Sequence, residues 1–82
     1  MAKLINLFEV VPIGDGMHYL CQDSSGRYFT EHKANTVKEQ LVFDSEATAQ
    51  KYIEKYLDVN KYKPELFGRN IKFLPSNIIR EV

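Results

Sequence analysis

The sequence has no tryptophan, a single cysteine, three prolines and two histidines, and its eleven basic residues are matched by eleven acidic ones. Each scarcity excludes something. With Cys21 alone there is no internal disulfide and no cysteine-based zinc site, which needs several thiolate or imidazole ligands; the thiol is expected to act as a small buried apolar residue. His18 and His32 have no acidic or thiol neighbour at a metal-ligating spacing, so neither a metal nor another cofactor is expected. A chain of zero net charge projects no long-range field to gather polyanions. No run approaches the ~18 apolar residues that a membrane helix needs. The opening MAKLINLFEVV carries a base at Lys3, but Asn6 and Glu9 interrupt its apolar run and no small-residue cleavage site follows, so a cytoplasmic protein without membrane contact is expected. The glycine turns IGDGM and DSSGR lack the helix that would complete a phosphate loop. Ser24, Ser25, Ser45, Ser76 and Cys21 are the available nucleophiles weighed against the histidines, and none sits in a strand-turn-helix elbow; enzymatic chemistry is not expected.

What is present describes a fold. At 82 residues, 44% of them apolar, the chain has the size of one domain around one core. In KLINLFEVVPI, Leu4, Asn6, Phe8 and Val10 alternate with Ile5, Leu7, Glu9 and Val11, and both sets are largely apolar. That pattern predicts a strand covered on both sides, or one whose outer face meets a partner, with Pro12 ending its ladder. Gly14, Asp15 and Gly16 predict a hairpin turn into a second strand over about 17–22, and DSSG a turn into a third over 27–32. The third strand sets Tyr28, Thr30 and His32 against Arg27, Phe29 and Glu31, each face mixing an aromatic ring with polar groups, as in a half-exposed strand. A short fourth strand is expected over 39–43.

LVFDSEATAQKYIEKYLD then marks a helix over about 45–58. Asp44 or Ser45 offers the capping oxygen, Glu46 places negative charge in the first turn, and Ala49, Ile53, Tyr56 and Leu57 form an apolar stripe flanked by Tyr52. KYKPELFG reads as a short turn of helix with Pro64 at its first position and Gly68 as its stop. A last strand is expected over 71–74, and SNIIREV either pairs with a sheet edge or trails off.

The expected architecture is therefore α+β: an antiparallel meander of three to five strands with the 45–58 helix packed on one face. One helix covers one face. The other would then expose apolar and aromatic strand residues, and Ile5, Leu7, Val11, Tyr19 and Tyr28 are the candidate contacts for a protein partner or a second copy of the chain. That expectation makes the protein a non-enzymatic interaction or regulatory protein, and its richness in Lys, Asn, Ile and Tyr suggests a bacterial or phage origin. The alternative is a nucleic-acid-binding module using Arg27, His32 and Lys33 on the third strand, or Lys61, Lys63, Arg69 and Lys72, which face only Glu65 across residues 60–72.

Strands followed by VFDSEATAQKYIEKYL, with Phe43, Ser45, Glu46 and Ala47 at the junction, resemble the small N-terminal arm-binding domains of phage integrases over roughly residues 18–58. The resemblance implies a sheet face that reads DNA, although the Arg/Lys-rich central strands of those domains are missing here. CQDSSGRYFTEHK, Cys21 to Lys33, looks like the hairpin of small phage inhibitors of uracil-DNA glycosylase; no functional residue carries over from that likeness.

Overall fold

A computed structural model of the chain describes residues 6–35, 37–67 and 77–82. Its elements are β1 (Phe8–Pro12), β2 (His18–Gln22), β3 (Tyr28–His32), β4 (Val42–Phe43), α1 (Glu46–Tyr56), β5 (Tyr62–Leu66) and β6 (Ile78–Ile79). The class is α+β, with mostly antiparallel strands and one helix packed against them.

The strand order corrects the expected meander. β1 does not pair with β2: its two edges are taken by β5 and β4, both antiparallel, in a four-stranded sheet ordered β5-β1-β4-β6. β2 and β3 form a separate antiparallel pair. The connection after β1 is still a turn, with Gly14 at φ 85° and the Asp15 N–H on the Pro12 carbonyl at 3.2 Å, but it redirects the chain out of the first sheet. Pro12 is the last residue of β1 and faces Tyr62 at the last position of the β1–β5 register, as expected of a proline at the end of a ladder.

Segment 39–44 joins the two sheets. Gln22 N–H donates to the Glu39 carbonyl (2.9 Å) and Leu41 N–H to the Leu20 carbonyl (3.2 Å), so the approach to β4 is held to β2; β4 itself then lies between β1 and β6. Ile78–Ile79 run parallel to β4, which settles the SNIIREV alternatives in favour of edge pairing. The strand expected over 71–74 lies outside the described residues.

The helix begins where its sequence marks it. Ser45 is the cap, in extended backbone, and its Oγ accepts the Thr48 N–H at 3.1 Å. Its inward face is Ala49, Tyr52 and Ile53, packed with Val10, Leu20, Leu41 and Phe43. This corrects the expected stripe, since Tyr52 is buried whereas Tyr56 is 53% exposed. A buried tyrosine needs a partner for its hydroxyl; Tyr52 finds Tyr28 at 2.8 Å, while Tyr56 keeps its hydroxyl in water and lays its ring on Tyr52, centroids 4.8 Å apart.

After the helix, Asp58 turns the chain back by accepting the N–H groups of Lys61 (2.9 Å) and Tyr62 (3.1 Å) on its carbonyl. The YKPEL stretch, Tyr62–Leu66, is then strand β5, not helix. The bonds Ile13 N–H to Lys61 O and Phe67 N–H to Leu7 O direct the backbone groups of the odd-numbered residues toward β1 and those of Tyr62, Pro64 and Leu66 away from it. Pro64 therefore forfeits no ladder bond, which is the condition for a proline within a strand.

Candidate functional site

Both faces of β1 are covered. Val10 points into the helix-side core, and Val11 packs on the other side with Tyr19 and Cys21, joined by half-buried Phe29 and Val37. The β2–β3 pair thus contributes to both clusters, Leu20 and Tyr28 on the helix side and Tyr19, Cys21 and Phe29 on the side of Val11. Leu7, Val11 and Tyr19, expected at an open face, are 2%, 0% and 0% exposed, and this corrects their assignment to a surface: Val11 and Tyr19 pack with Cys21, Phe29 and Val37 of the same chain. Ile5 lies outside the described residues. Tyr28 is half-buried, with its hydroxyl on Tyr52.

Between β1, β5 and the segment after β3 sits a polar cluster that the sequence patterns do not single out. Glu9, 2% exposed, accepts a bond from Gln40 Nε2 at 3.0 Å. Lys33 places its ammonium 3.7 Å from Glu9 and 2.5 Å from Glu65, which stands directly opposite Glu9 in the β1–β5 register. Two carboxylates side by side repel unless a cation lies between them, and Lys33 supplies it. Asn77 reaches the same region by donating to the backbone carbonyls of Lys38 and Gln40. The available signal was one charged residue inside an otherwise apolar strand, Glu9 in LFEVV.

The placement of the basic candidates follows. Lys33 is half-buried, with its ammonium on the Glu9 and Glu65 carboxylates. Arg27, Lys61 and Lys63 are exposed, His32 is half-buried, and Arg69 and Lys72 lie outside the described residues. The structure does not bring Arg27 and His32 together, since they stand at opposite ends of β3.

The β2–β3 hairpin carries its own support. Asp23 Oδ1 accepts from Ser25 Oγ (2.6 Å), Ser25 N–H (2.9 Å) and Arg27 N–H (3.0 Å), and these bonds, the Ser25 hydroxyl first, hold its carboxyl below the usual range. At the other end His18 Nδ1 lies 3.0 Å from Asp15, whose carboxyl is lowered chiefly by the Met17 N–H and then by His18. Glu31 is lowered by the Asn35 amide and then the His32 N–H. His18 and His32 face each other across the strands with rings edge to face, 5.4 Å apart. Among the described residues no group of three or more His, Cys, Asp or Glu side chains is placed to hold a metal ion. An open groove of about 710 Å³ runs between this hairpin and the C-terminal strand, lined by Asp23, Phe29, Lys38, Glu39, Leu41 and Asn77 among others.

The outer edge of β3 is the most distinctive surface. Asp23 N–H donates to Arg27 O (3.0 Å) and Lys33 N–H to Met17 O (2.8 Å), so odd-numbered residues of β3 bond inward to β2 while Tyr28, Thr30 and His32 turn their backbone groups outward. The His32 N–H is taken by Glu31 Oε1 at 3.1 Å. Tyr28 and Thr30 have no backbone partner among the described residues, and Thr30 is exposed.

No family model, no curated protein and no solved structure matches the chain, so neither resemblance noted above gains support. No helix among the described residues is long and apolar enough to cross a membrane.

Proposed function

We propose that the chain is a small non-enzymatic interaction or regulatory protein, working in the cytoplasm, that docks on protein by adding a strand to the outer edge of β3. The observation that carries this reading is the pair of outward, unpartnered backbone positions Tyr28 and Thr30 in a strand with neither proline nor outward lysine to blunt it. Strand addition supplies main-chain hydrogen bonds for affinity and side-chain contacts for choice of partner. Next to that edge the Tyr28, Tyr52 and Tyr56 rings run from core to surface, and tyrosine is enriched at interfaces because its ring buries while its hydroxyl stays wet. The test is affinity capture from the native cell with the wild-type chain and with Thr30→Pro, whose lost N–H faces outward. A protein held by the first and released by the second is expected; a partner set indifferent to the substitution, in a variant with native circular dichroism, contradicts the reading.

A second reading is nucleic-acid binding through Arg27, Lys61 and Lys63. It is favoured by their exposure and by the lack of an ion pair to any of them among the described residues. Such binding must weaken steeply with salt as counterions are released from phosphate. A titration of short duplex and single-stranded DNA showing no salt-dependent binding removes it.

A further inference from the structure

The edge of β3 is complementary to itself in one register. An antiparallel strand added there must place outward residues opposite outward residues, and only Tyr28 and Thr30 have both backbone groups unpartnered, the His32 N–H being held by Glu31. Among self-pairings, centring on Thr30 would require the His32 N–H and would set Arg27 against Lys33. Centring on Glu31 would oppose two carboxylates. Centring on Phe29 does neither: Tyr28 exchanges bonds with Thr30 of the partner subunit, Phe29 faces the partner's Phe29, and Arg27 stands opposite the partner's Glu31.

We propose that two copies of the chain associate by pairing their β3 strands in this register, about a two-fold axis at Phe29. The pairing rests on the interaction reading above and names its partner. Arg27 is exposed and has no carboxylate among the described residues, so the partner's Glu31 supplies the missing counter-charge. Phe29 is half-buried on the Val11, Tyr19 and Cys21 cluster, and a facing aromatic ring at a closely spaced, non-hydrogen-bonded position continues that apolar contact across the axis. The two-stranded β2–β3 sheet becomes one half of a four-stranded sheet that runs across the axis. The interface is isologous, as a closed dimer requires.

Sedimentation equilibrium over a wide concentration range tests this with the wild-type chain, Thr30→Pro, Arg27→Glu and the swapped pair Arg27→Glu/Glu31→Arg. A reversible dimer is expected for the wild type. Because the two-fold axis counts each contact twice, Arg27→Glu is expected to weaken it by about tenfold or more, and the swap to restore most of that loss. Thr30→Pro is expected to leave a monomer with native circular dichroism. A wild-type chain that stays monomeric at all concentrations overturns the pairing, as does a dimer insensitive to both Arg27→Glu and Thr30→Pro. In the monomeric case, a cellular partner released by Thr30→Pro would still uphold docking on β3, so failure of the dimer and failure of the interaction reading are separate results.

Discussion

Strands β5 and β3 both lie at the edge of a sheet, and they treat that edge in opposite ways. On β5, Pro64 stands at an outward position and removes a donor, the Tyr62 N–H is turned back to Asp58, and α1 packs alongside. On β3 the outward positions are Tyr28 and Thr30, both β-prone and neither blocked. Natural sheets blunt the edges they do not use, so an unblunted edge beside a blunted one locates the surface at which pairing is tolerated. The interior adds a second difference. The helix-backed sheet is held by large apolar side chains, whereas the hairpin, besides burying Tyr19, Leu20 and Cys21, is tied down through polar groups: Lys33 to Glu9 and Glu65, and the Tyr28 hydroxyl to Tyr52.

Substitutions that separate the two regions rank as follows. Ile53→Ala on the helix side is expected to cost about 2–5 kcal/mol in chemical denaturation, because a fully buried side chain leaves a cavity between α1 and the sheet. Lys33→Met removes the ammonium that stands between Glu9 and Glu65, and a loss of about 3 kcal/mol is expected; adding Glu9→Met should recover much of it, since the apolar replacement removes the buried carboxylate. If Lys33→Met alone is neutral, the polar attachment of the hairpin is not what holds it in place.

How much of this could be read from sequence differs between the regions in the same way. The start of the helix was legible to within one residue, Asp44 or Ser45, because the capping side chains, Glu46 and the Ala49 and Ile53 spacing are local signals. The strands were legible as strands, but their order was not. Alternation places a residue on a face and says nothing about which later segment will reach that strand, so it suggests pairing β1 with its neighbour in sequence, whereas β5 and β4 take both its edges. Pro64 misled for a related reason: a proline opening a helix and a proline on an outward strand position have the same local appearance, and only the β1–β5 register distinguishes them. Leu7, Val11 and Tyr19 were placed at an open face and are buried, since alternation does not show that Phe29 and Val37, later in the chain, pack on the cluster of Val11 and Tyr19.

Smaller effects sharpen the comparison. Tyr52→Phe removes the hydroxyl that meets Tyr28, and a loss of about 1 kcal/mol is expected, together with looser packing of β3 on the helix. Burial first, and the Tyr28 hydroxyl second, push the Tyr52 phenol above the ordinary tyrosine range. Its neutral form is thus favoured by folding, so the stability it contributes is intact below the unfolded tyrosine pKa and is lost as pH rises toward the folded value. Wild type should therefore lose more stability than Tyr52→Phe in alkaline solution. Asp23 has the opposite sign. Its carboxyl is lowered by the Ser25 and Arg27 donors, so its contribution is present above the unfolded aspartate pKa and fades as pH falls through the folded one. Acidification should loosen the β2–β3 turn in the wild type and change little in Asp23→Ala, a small difference visible in amide exchange at Arg27.

The most direct test of the central claim, that the outer edge of β3 is the docking surface, is residue-resolved amide hydrogen exchange at Tyr28 and Thr30 in dilute and concentrated protein. In dilute solution both amides should exchange fast while Lys33, bonded inward to Met17, stays protected. Protection of Tyr28 and Thr30 that rises with concentration is the expected result. Exchange at those two amides that is slow even at high dilution, or fast and unchanged in every associated form of the protein, would contradict it.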